Sequence, residues 1–245
     1  MREDYAEIFR SPAAAAKYDT VTYAAGTYAA RVDARQRRWL RGQLPSWFAR
    51  PPVQHDFACG TGRAIGMLSG LVAAAHGYDT SPAMLERARE RPATAVYHLI
   101  APGPGAVPDQ RYGGPRLVTM FRFLLNADDA ARDGALDFAA RVLAGDAHGV
   151  LVVENHGPAR SLRGLGRWRH RDDPWFAELP DEEVVALLRR HGFRVVARRG
   201  FGVLPPGAYR YRGIRGAAAS VDAVAHRLPS SPFAGNLIYV AVMTG

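Results

Sequence analysis

The sequence predicts an α/β fold: a seven-stranded, mostly parallel sheet with helices on both faces. Three observations predict it. From residue 53 onward, short apolar runs of strand length alternate with segments of helical periodicity, which is the pattern of a parallel sheet covered on both sides. A glycine-rich turn, Asp56-Phe-Ala-Cys-Gly-Thr-Gly62, separates the first such run from the first helix of the alternation. An acid, Asp79, ends the next run, seventeen residues after Gly62. At 245 residues with 48% hydrophobic content, the chain reads as one domain with a sizeable core.

Residues 5–48 read as helical, with Val32, Trp39, Leu40 and Leu44 set between arginines, and residues 1–50 are expected to form a lid. Pro51-Pro52 ends this region. Val53 to Ala58 is the first strand, Ala64 to Gly70 a helix and Leu71 to Tyr78 the second strand. Pro82 to Glu90 is a helix with Ser81 as its cap, Pro82 at its first position and Met84, Leu85 and Ala88 as its apolar stripe. Ala95 to Ile100 is the third strand. After a Pro/Gly-rich loop, Arg116 to Phe121 is the fourth. Ala127 to Leu143 has a helical apolar pattern, with Asp128 and Asp129 at its start as N-capping acids. Gly149 to Glu154 is the fifth strand. Asp181 to His191 is a helix with Asp181 as its cap, acids in its first turn and arginines in its last. Phe193 to Phe201 and Asn236 to Met243 complete the sheet. Residues 156–180 and 202–235 interrupt the pattern and are expected to form small caps over the site.

The turn and the acid define a nucleoside site. Glycine lets a backbone approach a ligand closely, and an acid at the end of the next strand accepts hydrogen bonds from two ribose hydroxyls. Asp56 ahead of the turn would repel a pyrophosphate but suits a ligand carrying an ammonium or sulfonium. The run Asp56-x-Ala58-x-Gly60-x-Gly62 resembles motif I of the class I S-adenosylmethionine (SAM) methyltransferases, and Tyr78-Asp79-Thr80-Ser81 with Pro82-Ala83-Met84-Leu85 resembles their motif II. Ala58 stands where the first glycine is commonest, a substitution that a turn of small residues should tolerate. The resemblance covers about residues 53–201 and 236–245. It implies a Rossmann-like sheet, SAM as cofactor and S-adenosylhomocysteine (SAH) as product. Carried onto this sequence, it implies cofactor contacts from Asp56, Ala58, Gly60, Thr61, Gly62, Asp79, Thr80 and Met84. It adds Leu99 after the third strand, Met120 and Phe121 at the end of the fourth, and Tyr18 from the lid. Where the family usually has an acid for the adenine amino group, this chain has His98-Leu99-Ile100-Ala101.

A net charge of +9 and a pI near 10.2 raise the question of nucleic acid. Lys17 is the only lysine and the arginines are dispersed, which fits a compositional bias better than a nucleic-acid footprint. No Asn/Asp-Pro-Pro-aromatic motif stands at the fourth strand; Met120-Phe121-Arg122-Phe123 is there instead. Cys59 is the single cysteine, so an intramolecular disulfide is excluded and a reducing, cytoplasmic setting is expected. No membrane span and no metal site are expected.

Methyl transfer from a sulfonium needs alignment and exclusion of water, and a base only where the nucleophile arrives protonated. His156, just past the fifth strand, is the candidate base and acceptor contact, set against a plain hydrogen bond to loop backbone. Arg122 at the fourth-strand exit is a candidate acceptor contact. So are Arg163 and Arg167, within the five arginines of residues 160–171, where an anionic acceptor competes with simple solvated charge. The expected function is methylation of a small-molecule acceptor, such as a bacterial natural-product intermediate. The alternatives are an RNA methyltransferase or RNA-binding protein, and a SAM-binding relative that catalyses another step.

Overall fold

In the computed structural model of the protein, the described residues are 23–24, 26–101, 113–156, 179–204, 216 and 234–244. Tyr18 and the 160–171 arginines lie outside them.

Helix α1 (Tyr28–Trp47) starts where Thr27 turns its hydroxyl to accept from Ala30 N, and its buried stripe is Val32, Gln36, Leu40 and Leu44. Strand β1 (Val53–Phe57) leads into the turn and then α2 (Arg63–Leu68). Strand β2 (Ala74–Asp79) is followed by α3 (Pro82–Arg89), capped by Ser81 as expected. Next come β3 (Val96–Leu99), β4 (Arg116–Phe121), α4 (Asp129–Leu143) capped by Asp128, and β5 (Val150–His156). Helix α5 (Asp181–Arg190), β6 (Phe193–Phe201) and β7 (Asn236–Met243) complete the described chain.

The sheet order is β3-β2-β1-β4-β5-β7-β6. Strands β1 to β5 run parallel, while β7 is antiparallel to both β5 and β6. The chain enters at the centre, moves outward to β3, and returns to β4. The order therefore reverses between β1 and β4, the point at whose strand carboxyl ends open α/β sheets bind their ligands.

Each face carries its own apolar layer. Leu136, Phe138 and Leu143 of α4, with Val184 and Leu188 of α5, pack on Val118, Met120, Leu151 and Val153. On the opposite face Leu40 and Leu44 of α1, with Met67 and Leu68 of α2, pack on Leu117, Val152, Ile238 and Val240. Each such fully buried side chain contributes about 1.5–3 kcal/mol.

Many boundaries differ from the sequence reading, most of them by a residue or two, and three of the differences have a clear cause. Strand β2 starts at Ala74 rather than Leu71, because Gly70 (φ 80°) and a turn closed by Leu71 N to Leu68 O consume the intervening residues. Strand β5 extends to His156 because β7 pairs along it as far as Asn236. Asp181 is the first helical residue and not the cap, a position held by Pro180 without a side-chain bond. Its carboxylate instead accepts from Arg198 at 2.7 Å and from the Tyr239 hydroxyl at 2.8 Å, tying α5 to β6 and β7. Among the described residues no helix is long and apolar enough to cross a membrane.

Candidate cofactor and acceptor site

The turn after β1 is fixed from both sides. Cys59 N donates to Tyr78 O at 3.0 Å, and Gly62 N donates to Cys59 O at 2.9 Å. The Asp79 carboxylate accepts from Gly60 N at 2.7 Å through one oxygen and from Ser81 N at 2.9 Å through the other. Burial pushes the Asp79 carboxyl above its usual range, against these backbone donors. Gly60 (φ 53°) faces open space, since a Cβ there would meet nothing within 4 Å. Gly62 (φ 73°) does something else: a Cβ would stand 2.9 Å from the Tyr97 hydroxyl and 3.3 Å from Ala88 Cβ, so this glycine permits close packing of α3. Ala58 has φ 52°, the left-handed region. The position therefore demands glycine-like geometry, and an alanine there is strained rather than merely tolerated.

Several expected cofactor contacts are placed otherwise than the motif suggests. Asp56 is 1% exposed and turned into the sheet, where Thr119 Oγ1 donates to it at 2.6 Å. Burial pushes its carboxyl up to about 7, with the Thr119 hydrogen bond and the Arg63 charge opposing. Thr61 is buried, and its carbonyl and hydroxyl both accept from Arg91. Met84 is buried with Ala83 in a small cluster of its own. Met120 points into the core on the α4 face, because neighbouring residues of a strand alternate sides and Phe121 takes the α1 face. Thr80 is exposed, and Leu99 is 60% exposed beside Asp79, its register partner in β2. Cys59 is buried and packs against Gly77, and burial and the charges of Asp79 and Asp56 push its thiol well up.

A charge cluster that sequence reading passed over lies at the same end of the sheet. Glu154, 1% exposed on β5, accepts from Arg63 Nη2 at 2.5 Å and from Gln36 Nε2 of α1 at 2.9 Å. Its Oε1 lies 3.8 Å from Arg122 Nε. Burial alone would raise its carboxyl, but Arg63 and Arg122, with the Gln36 amide, outweigh burial and hold it near 2. Arg63 also reaches Asp33 of α1 at 3.2 Å, with its guanidinium 5.1 Å from the ring centres of both Tyr23 and Phe121. Arg122 has φ 57° and donates its N–H to Glu154 O at 3.0 Å. The available signal was an acid directly after a buried apolar run, Val150-Leu-Val-Val-Glu154.

No protein-family model matches the sequence and no curated protein matches it. Solved structures do. The CcbJ methyltransferase from Streptomyces caelestis superimposes with a TM-score of 0.60 at 16% identity, covering 99% of this chain and 100% of that one. The DhpI–SAH complex gives 0.59 at 16% identity, covering 98% and 97%. A TehB-like SAM-dependent methyltransferase from Corynebacterium glutamicum gives 0.57 at 15% identity, covering 96% and 100%. The chain has the fold of the class I SAM-dependent methyltransferases.

Within that methyltransferase fold, His156 is half-buried at the end of β5, two residues beyond Glu154 on the same face and opposite Asn236 of β7. Asn236 Nδ2 donates to the Tyr28 hydroxyl at 3.1 Å, so α1 closes over this corner as well. Arg122 and His156 thus lie on the carboxyl-end rim that the turn shares. Tyr18, Arg163 and Arg167 fall outside the described residues. Among the described residues no group of three or more His, Cys, Asp or Glu is placed to hold a metal ion.

Proposed function

We propose that this protein is a SAM-dependent methyltransferase acting on a small-molecule acceptor. The observation that carries the reading is the pairing of Asp79 with Gly60: an acid at the end of β2 clamps a turn whose glycine opens onto free space. A carboxylate has about four acceptor sites, and Gly60 N and Ser81 N use one on each oxygen, which leaves capacity for two ribose hydroxyls. The exposed Leu99 beside it suits an adenine face, and the likeness to solved methyltransferases supports the same cofactor. When bound, SAM supplies a methyl group already activated as a sulfonium. The chain's part is to hold the two reactants in line and keep water out. Phe121 and Tyr23 wall the crevice, Arg122 orients an acceptor at its rim, and His156 takes the proton of a hydroxyl acceptor.

The test is calorimetry with SAH and SAM, followed by turnover on candidate acceptors with SAH as the measured product. Asp79→Ala is expected to weaken SAH by about 1.5–3 kcal/mol, since ribose hydroxyls lose a charged acceptor. Unchanged SAH affinity, or NADH binding in its place, overturns the assignment. SAM binding without SAH formation points to a different reaction on the same cofactor.

A further inference from the structure

We infer that Glu154 is a positioning residue of the proposed site: its buried carboxylate fastens Arg63 and helix α1 to the cofactor turn and sets the arginines that frame the crevice between β1 and β4. The inference rests on the SAM reading of that site.

Glu154 reaches three parts of the molecule at once. Its side chain accepts from Arg63, the residue next to Gly62 and the first of α2, so the carboxylate pulls directly on the end of the turn. It accepts from Gln36, a fully buried residue in the middle of α1. Its backbone carbonyl accepts from Arg122 N, at one of the two non-glycine residues described with positive φ, and its carboxylate faces the same residue's guanidinium. Strained backbone of this kind persists where the surroundings over-determine it and gathers at ligand sites.

Sheet packing alone does not call for a charge here. Val150 and Val152, on the same strand and face, pack against the α1 side with apolar side chains. A buried ion pair is often replaceable by apolar residues without loss of stability, so a carboxylate held at the rim of a ligand crevice serves orientation. Arg63 gives the arrangement its two ends: one nitrogen on Glu154, the other on Asp33 of α1. A shift of the turn is therefore felt by α1. By reciprocity, a ligand that fixes the turn orders α1, and anything that loosens α1 weakens the ligand.

The experiment uses the full chain in four forms: wild type, Glu154→Gln, Arg63→Lys and the control Val152→Ala. SAH affinity is read by calorimetry, and hydrogen exchange of residues 28–40 is followed with and without SAH. Wild type gains protection in that segment on binding SAH. Glu154→Gln keeps the volume and loses the charge; Arg63→Lys keeps the charge and loses the two-ended fork. Both raise the SAH dissociation constant roughly tenfold and lose the SAH-induced protection, whereas Val152→Ala lowers thermal stability and changes neither readout. If Glu154→Gln does not fold, Arg63→Lys decides. Wild-type affinity and protection in the folded variants overturn the positioning role, leaving an ion pair that is only structural. Loss of affinity with the protection response intact overturns the coupling to α1. A wild type that does not bind SAH overturns the SAM reading, and the inference with it.

Discussion

The two faces of the sheet are built from different chemistry. On the α1 side the central strands bury Gln54, Asp56, Thr119 and Glu154, joined in hydrogen-bonded chains: Gln54 donates to Thr119, Thr119 to Asp56, and Gln36 to Glu154. On the α4 side the same strands bury Val118, Met120, Leu151 and Val153, and the polar groups are Asn155, whose amide donates to Leu179 O, and a stack of rings. There His55 lies 5.4 Å from His76 and 6.0 Å from Tyr78, and Tyr78 lies 4.8 Å from His98. The difference separates roles. In the proposed reading, the polar groups toward the carboxyl ends of β1, β4 and β5 belong to the cofactor site, while the opposite face is a platform that holds those strands in line.

The strongest way to break this division is Phe138→Ala. Phe138 is 1% exposed, 5.0 Å from Phe57 and 5.1 Å from Tyr78 by ring centres. Its truncation is expected to cost about 3–5 kcal/mol in urea unfolding, with SAH affinity unchanged wherever the protein stays folded. A folded Phe138→Ala protein that binds SAH ten times more weakly would show the platform to be part of the site.

One buried residue on each face, His55 and Asp56, carries a pH dependence opposite to the other's. Burial, then the charges of His76, Arg116 and His98, lowers His55 from 6.5 to about 3, and Tyr78 faces it with a hydroxyl 3.0 Å away. Between those values the unfolded chain binds a proton that folded His55 refuses. Its contribution to stability is therefore fully present above about 6.5 and falls as pH falls, by about 1.4 kcal/mol per pH unit. Asp56 acts in reverse. Folded Asp56 keeps its proton to about 7, while the unfolded carboxyl gives it up near 3.8, so its contribution falls as pH rises between the two. The two slopes oppose each other in wild type. Relative to wild type, Asp56→Asn is expected to gain stability with rising pH from 4.5 to 6.5, by about 3 kcal/mol in all. His55→Gln is expected to lose a similar amount over the same interval. Denaturant unfolding at three pH values reads both, and two variants that track wild type in parallel would dismiss the assignment.

Legibility in the sequence followed the range of the interactions. The edges of β4 and β7 were readable because buried apolar runs there are bounded by Pro115 and Gly235, and β6 because Gly192 ends the helix before it. The turn and Asp79 were readable because their geometry is local and fixes the spacing. Which side chain of Met120 and Phe121 enters the α4 core was not, since a parallel strand covered on both faces shows no alternation of polarity. The Glu154 cluster was hidden for a different reason: Gln36, Arg63, Arg122 and Glu154 meet only through long-range pairing of β4 with β5 and the packing of α1.

The smallest effect concerns the turn itself. Ala58 and Arg122 are the non-glycine residues described with positive φ, 52° and 57°. Holding an alanine in that region costs about 1–3 kcal/mol, while glycine pays an extra entropy cost of roughly 0.5–1 kcal/mol on folding. Ala58→Gly relieves the strain and removes only a methyl group, so a net gain of about 0.5–1 kcal/mol is expected. Arg122→Gly relieves the same strain but deletes the guanidinium facing Glu154, and no gain is expected from it. Thermal unfolding of the two variants side by side tests the contrast. A loss of stability in Ala58→Gly would mean that the methyl group packs the turn by more than the strain it imposes, and the first position of the motif would then have been adapted to alanine in this chain.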